Sequence, residues 1–275
     1  MQNKNIECPV CKTEMSESKF YNKIFQQNNY YCYNCESYHI VNEIDTSEYY
    51  ATEYHKDFKY GNLPKIFQKL GITGNRAIAR LLYFKNKVKL ENNLKFIEIG
   101  GGKGDNFTVL NKCCKPLKYT IVEPNPDYNL EYENLEYKNE MFETIVSKNF
   151  NGHHSLVMFH VLEHIFNLDN FFVKLKEINP EYFYFEVPNC KNEKVKEDSL
   201  LNHPHYHHFS KKSLEILAKQ EGIQIESLNI IKPTSYHPYK KVGKFKKYFS
   251  RMSKNHEIID NSGLYLRGLF KIKKD

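Results

Sequence analysis

Residues 94–104 read Leu-Lys-Phe-Ile-Glu-Ile-Gly-Gly-Gly-Lys-Gly, and Asp-Asn-Phe-Thr-Val-Leu follows. An apolar run of strand-forming residues ends in four glycines within five positions, and a helical stretch over 104–112 begins at once. Glycine lets a backbone turn sharply and come close to a ligand. The N–H groups that open a helix can meet an anionic group such as a carboxylate. A G-x-G-x-x-G spacing read from Gly100 requires glycine at position 105, which is Asp105. The pattern is instead E-x-G-x-G-x-G, starting at Glu98.

Strand–helix alternation continues outward from this loop. Strands are predicted at 94–99, 119–123, 134–138, 155–161, 182–187, 223–231 and 264–272, and helices at 168–178 and 210–222. The last helix has Ser210 to cap it and Gly222 to stop it. Seven strands with interleaved helices predict an α/β, doubly wound, Rossmann-like sheet. The second strand ends at Glu123-Pro124. A carboxylate there can accept hydrogen bonds from two ribose hydroxyls.

On the amino-terminal side, 63–90 reads as helical, with Leu63, Ile66, Phe67 and Leu70 on one face, Gly71 as a stop, and a second stretch from Ile78. Residues 46–62 form a polar, Tyr-rich connector. Residues 1–45 carry Cys8-x-x-Cys11 and Cys32-x-x-Cys35. Two such knuckles supply four thiolates in the tetrahedral array that zinc prefers, and four cysteines leave no open position. The site is therefore expected to be structural, and zinc would let a small module fold on a meagre core. Cys113, Cys114 and Cys190 have no partners at metal-binding spacing. The predicted organisation is a zinc ribbon (1–45), connector and helices (46–93), and a main domain (94–275).

Across 275 residues, 40% are hydrophobic and 27% charged, which suits a globular chain. No apolar run is long enough to cross a bilayer. No secretory h-region opens the chain, so a cytoplasmic location is expected. The net charge of +7 is concentrated at 240–254, a run with lysines and an arginine and no acid. It reads as a solvated basic face or as a contact for a phosphate-bearing acceptor, RNA or an anionic membrane.

The loop and the acid after strand two resemble the first motifs of class I S-adenosylmethionine-dependent methyltransferases. The resemblance implies that Gly100, Gly101, Gly102 and Gly104 cradle the methionine part of the cofactor. It also implies that Glu98 steers the ammonium end, that Glu123 and Pro124 meet the ribose, and that Glu140 with Met141 or Phe142 meets the adenine. Residues 153–172, HHSLVMFHVLEHIFNLDNFF, and 185–189, FEVPN, resemble blocks of the subfamily that modifies sugars and other small metabolites. The family's aspartate before strand four is Ser155 here. His160-x-x-Glu163-His164 also matches an inverted zinc-protease pattern, which needs a long helix and a distant third ligand; we read that match as accidental. The N-terminal module is similar to the zinc-binding module of several bacterial sugar methyltransferases.

In that subfamily, a segment like His203-Pro-His-Tyr-His-His-Phe-Ser210 lies over the acceptor pocket. Imidazole titrates near neutral pH, so His205 is the expected base, with His207 and His208 next; His160 and His164 are candidates at the acceptor, and His160 also at the cofactor. Several histidines close together also admit a metal. The glutamate that neighbours the base in related sugar C-methyltransferases is Pro204 here, which favours oxygen methylation. The expected activity is O-methylation of a sugar, nucleotide sugar or phosphorylated precursor of a capsular or lipopolysaccharide-type surface polymer. The alternatives are an RNA methyltransferase with a zinc ribbon, a sugar C-methyltransferase, and a non-catalytic cofactor-binding scaffold. A small-molecule acceptor is the expected partner rather than nucleic acid. No Asn/Asp-Pro-Pro-Tyr-type loop follows strand four.

Overall fold

The computed structural model describes residues 6–46, 75–91, 93–125, 127–128, 130–150, 152–231 and 263–273. The connector from residue 47, the helical face over 63–71 and the basic run 240–254 lie outside the described residues. Three antiparallel strands come first: β1 (Ser16–Asn22), β2 (Gln27–Cys32) and β3 (Ser37–His39). Helix α1 (Asn75–Lys87) leads into β4 (Lys95–Ile99), α2 (Asp105–Cys113), β5 (Lys118–Val122) and β6 (Leu135–Lys138). Then come β7 (Ser155–Phe159), α3 (Leu168–Ile178), β8 (Tyr182–Pro188), α4 (Glu193–Asn202) and β9 (His207–His208). The last elements are α5 (Lys211–Gln220), β10 (Gln224–Ile231) and β11 (Tyr265–Lys271).

Seven strands form one sheet in the order β10-β11-β8-β7-β4-β5-β6. β4 to β8 run parallel; β11 is antiparallel to both β8 and β10. Side chains alternate across the sheet, and both faces are covered. Phe96, Val157 and Tyr184 point to the side of α1 and α2, among Ile78, Phe84, Phe107 and Leu110. Ile97, Leu156, Met158, Phe183 and Phe185 point to the side of α3 and α5, among Phe171, Leu175, Leu214 and Leu217. Strand order reverses at β4, whose neighbours are β5 and β7, so a crevice opens beyond the carboxyl ends of these strands.

The predicted strands are all present. β7 is shorter than the expected 155–161, because His160 adopts φ +59 and turns the chain out of the sheet. Ser155 is buried at the amino end of β7, at the opposite end of the sheet from the glycine loop, and its Oγ lies 2.8 Å from His154 Nδ1. The missing aspartate therefore removes nothing from the crevice.

The N-terminal module does not stand apart. β9, a two-residue strand between α4 and α5, pairs with β3 through His39↔His207 and Tyr38↔His208 and makes a four-stranded sheet. Cys8, Val10, Met15, Cys32 and Cys35 belong to the same apolar cluster as α3 and α5. Asn22 Nδ2 donates to the Leu200 and His203 carbonyls, and Ser210 Oγ to the Cys35 carbonyl at 2.6 Å. The sequence boundary at residue 45 is thus not a packing boundary.

Candidate active site and cysteine centre

The glycine loop is fixed by close approach. Gly100 N–H donates to the Val122 carbonyl at 2.8 Å, which ties the loop to the end of β5. Gly100 has φ +65, and a Cβ there would lie 2.4 Å from Val161 Cγ2. Gly104 has φ +74, and its Cβ would meet Leu130 Cδ1 and the Tyr137 hydroxyl at 2.8 Å. No other residue type fits either position without moving its neighbours. Above Gly102 the space is open; the nearest side chain, Tyr128, is 3.9 Å away.

Glu123, just after β5, turns its carboxylate back to this loop. Its Oε2 accepts from Gly102 N–H at 2.8 Å and its Oε1 from Asn125 N–H at 3.2 Å. An ionised carboxylate offers about four acceptor sites, so capacity remains for a pair of hydroxyls. Asn139 Nδ2 donates to the Glu123 carbonyl at 3.4 Å, which joins the ends of β5 and β6. Pro124 is exposed and Glu140 half-buried at the rim. Met141 is exposed beside them, whereas Phe142 turns into the core, 5.2 Å from the Phe171 ring. Of the two residues expected to face an adenine, only Met141 is accessible.

Glu98 lies beneath the loop rather than in the crevice. It is buried, and accepts from Asn106 Nδ2 at 2.6 Å and the Tyr119 hydroxyl at 2.7 Å. Burial pushes its pKa up to about 7, against those two hydrogen bonds. The folded state therefore keeps this proton to higher pH than the unfolded chain, whose carboxyl titrates near 4.5. Stability from this group is full below about pH 4.5 and is lost by about pH 7, a change on the order of 3 kcal/mol. Glu98→Gln is expected to flatten the pH dependence of unfolding free energy over that window. Parallel wild-type and variant slopes in urea titrations from pH 5 to 8 would contradict this.

A model of the methyltransferase-domain family matches residues 70–228, more than half of the chain, including the whole crevice just described. The chain belongs to this family. It is accordingly an S-adenosylmethionine-dependent methyltransferase. Solved structures agree in fold. The complex between the Haloferax volcanii Trm112 methyltransferase activator and a candidate methyltransferase aligns with a TM-score of 0.54 at 10% identity, over 85% of this chain and 100% of the matched one. An S-adenosylmethionine-dependent methyltransferase from Mesorhizobium loti gives 0.51 at 10% identity, over 70% and 98% of the two chains. A candidate methyltransferase of the same kind from Listeria monocytogenes gives 0.50 at 14%, over 72% and 100%. Curated proteins offer no sequence match.

On the β7 side of the methyltransferase crevice, His160, His164 and His205 come together. His160 N–H donates to the Glu186 carbonyl at 2.8 Å; its Nε2 lies 3.2 Å from Glu186 Oε1 and its Nδ1 3.5 Å from Glu163 Oε1. Burial lowers its basicity, but the two carboxylates outweigh burial and raise its pKa. Glu186 is in turn held by Arg80 at 3.0 Å and by Arg267, its cross-strand partner on β11, at 2.5 Å. His164 follows in a single 3-10 turn, Leu162–His164, not in the long helix that a zinc-protease motif needs. Its Nδ1 donates to the Pro204 carbonyl at 2.8 Å, and its ring meets that of His205 at 4.6 Å. His205 Nδ1 lies 2.8 Å from Ser199 Oγ. Burial, then the neighbouring histidines, hold its pKa well below the ordinary value, so the imidazole is neutral.

His207 does not join them. It sits in β9 against the cysteine module, with both ring nitrogens engaged: Nε2 donates to the Phe166 carbonyl at 3.1 Å and Nδ1 faces His39 Nδ1 at 2.9 Å. Burial, with His39 next, pushes its pKa down to about 3. His208 is buried beside it and shares Ser199 Oγ with His205. Arg80, Ser199 and Arg267 join the site without belonging to any motif of the sequence. A lone Glu186 within YFYFEVP and a lone Arg267 within LYLRGLF were the available signals, because a charge inside an apolar strand demands a partner.

In the module, the Sγ atoms of Cys8, Cys11, Cys32 and Cys35 all lie within 4.8 Å of one another, and none is in a disulfide. The two knuckles share one backbone form. The Cys8 carbonyl accepts from Lys12 N–H at 2.9 Å and the Cys32 carbonyl from Glu36 N–H at 2.8 Å. Lys12 and Glu36 take φ +58 and +57 respectively. Ser37 Oγ lies 2.9 Å from Cys35 Sγ and 2.6 Å from His39 Nε2. Four converging soft thiol donors with hydrogen-bonded neighbours fit a tetrahedral cation.

Proposed function

We propose that this protein transfers a methyl group from S-adenosylmethionine to a hydroxyl of a sugar, a nucleotide sugar or a phosphorylated precursor of a surface polysaccharide. The observation that carries the reading is the juxtaposition of the Gly100–Gly104 and Glu123 crevice with the His160, His164 and His205 cluster, across Val161. The loop would hold the methionine part, Glu123 the ribose hydroxyls and Met141 one face of the adenine, with Glu98 supporting the loop from below. When bound, the cofactor supplies an electrophilic methyl carbon on a sulfonium. The protein's share is to place the acceptor oxygen in line with the methyl group and to ease loss of its hydroxyl proton. The sugar class rests on the resemblance of residues 153–172 and 185–189. We assign structural zinc to the four cysteines.

Glu123→Ala removes the acceptor for the ribose hydroxyls. It is expected to weaken S-adenosylhomocysteine binding by about 10–100-fold in calorimetry, the value of charge-assisted hydrogen bonds. Unchanged affinity would place the cofactor elsewhere. For the acceptor, purified protein is incubated with methyl-labelled cofactor and a panel of nucleotide sugars, free sugars and RNA. Label in a sugar fraction is the expected result; label in RNA alone overturns the sugar assignment.

A further inference from the structure

We infer that Glu163, His164 and His205 form a second metal site, for a single divalent transition-metal cation, on the acceptor side of the crevice. One donor atom from each residue lies within 4.8 Å of the other two. The decisive observation is Glu163. It is fully buried, yet neither carboxylate oxygen has a hydrogen-bond partner; it shares with Glu186 the imidazole of His160, whose Nδ1 lies 3.5 Å away, so its charge is only partly offset. Burying a carboxylate with one long, shared contact is costly, and a bound cation is one of the few ways to offset the remainder.

The two imidazoles are oriented as ligands. His164 Nδ1 donates to the Pro204 carbonyl, which leaves the lone pair on Nε2. His205 Nδ1 faces Ser199 Oγ, which also meets His208 Nδ1 at 3.0 Å. A proton on His205 Nδ1 donated to Ser199, with the serine hydroxyl donated to His208, satisfies both bonds and leaves the lone pair of His205 on Nε2. The Pro204 carbonyl thus fixes the His164 tautomer and Ser199 accommodates the matching one at His205, as outer partners of metal-bound histidines do. Two nitrogens and one carboxylate suit manganese, iron, cobalt or zinc better than magnesium, and leave positions open for acceptor oxygens.

The site's role rests on the O-methylation reading. Val161, two residues before Glu163, packs on Gly100, so the cation would lie beside the cofactor loop. A cation held by Glu163, His164 and His205 would make an acceptor hydroxyl more acidic, and its proton would leave to solvent. The oxygen lone pair then forms the new C–O bond, and the electron pair of the broken S–C bond stays on sulfur. His205 serves as a ligand here and not as the base.

Mn²⁺ is the probe, because it does not favour thiolates. The full-length, zinc-loaded protein, briefly treated with EDTA, is titrated with Mn²⁺ and followed by loss of the free-ion EPR signal. One Mn²⁺ per chain is expected, with binding at least tenfold weaker in Glu163→Gln and in His205→Asn and retained in Glu177→Gln. Ser199→Ala, which keeps all three ligands, should weaken binding more mildly. Equal uptake by wild type and Glu163→Gln overturns the site, as does no uptake by wild type. Circular dichroism and S-adenosylhomocysteine calorimetry on the same samples separate the two readings. Cofactor binding without Mn²⁺ binding removes only the metal; Glu163-dependent Mn²⁺ binding without cofactor binding removes only the crevice assignment.

Discussion

Glu186→Ala is expected to destabilise the fold by about 3–5 kcal/mol, the cost of leaving buried cations without their counter-charge. Arg80, Arg267 and His160 converge on this one carboxylate, and all but His160 are almost fully buried. Burial alone would raise its pKa, but Arg267 and Arg80 outweigh burial and hold it well below the usual range. Its contribution is therefore present above the unfolded carboxyl pKa and is lost only as pH falls through the much lower folded value. Urea unfolding at pH 7 measures the loss directly; a change below about 1 kcal/mol would show that the ion cluster is relaxed by solvent. Replacing Glu186, Arg80 and Arg267 together with apolar residues of similar size should cost far less than Glu186→Ala, since the penalty is that of broken pairing and not of missing charge.

The second large effect concerns the thiols. Cys8→Ser with Cys35→Ser is expected to abolish zinc content by elemental analysis and to lower the melting temperature of the whole chain. Structural zinc contributes about 10–16 kcal/mol in isolated finger peptides. A third of that is worth about 10 °C in a domain of this size. The loss should be shared by the methyltransferase domain, because the cysteines lie in the core cluster of α3 and α5. A separate low-temperature transition, with the main one unmoved, would mean that the module melts alone.

Much of this was legible in the sequence because it is local. Apolar runs such as Lys95–Ile99 and Tyr182–Pro188 announce buried parallel strands, and the spacing of Gly100, Gly102 and Gly104 with Glu123 announces the crevice. The paired cysteine knuckles announce their own convergence. What was not legible depends on distant partners. β9 is two residues long and exists because β3 lies alongside it. Helix α4 has no apolar stripe, although Leu200 is fully buried, and its local signal is the Asn192 cap, which accepts from Lys194 and Val195 N–H. Periodicity gave no sign that Phe142 would turn inward while Met141 stayed out, or that His207 and His205 would face different neighbours two positions apart. The burial of Glu163 without a hydrogen bond is a property of tertiary packing alone.

The strand pairing of β9 with β3 has a consequence for how this enzyme can be altered. His205 stands two residues before His207, on the segment that the cysteine module clamps. A truncation that removes the first 45 residues would strip the clamp and leave a raw β-edge, so the shortened chain should be poorly soluble and inert. Conversely, grafting a foreign ribbon onto this scaffold would be expected to shift β9 and with it His205. If His205 borders the acceptor as proposed, the small appendage would act as a gauge block for it, and changes of substrate preference should map there as readily as to the catalytic sheet.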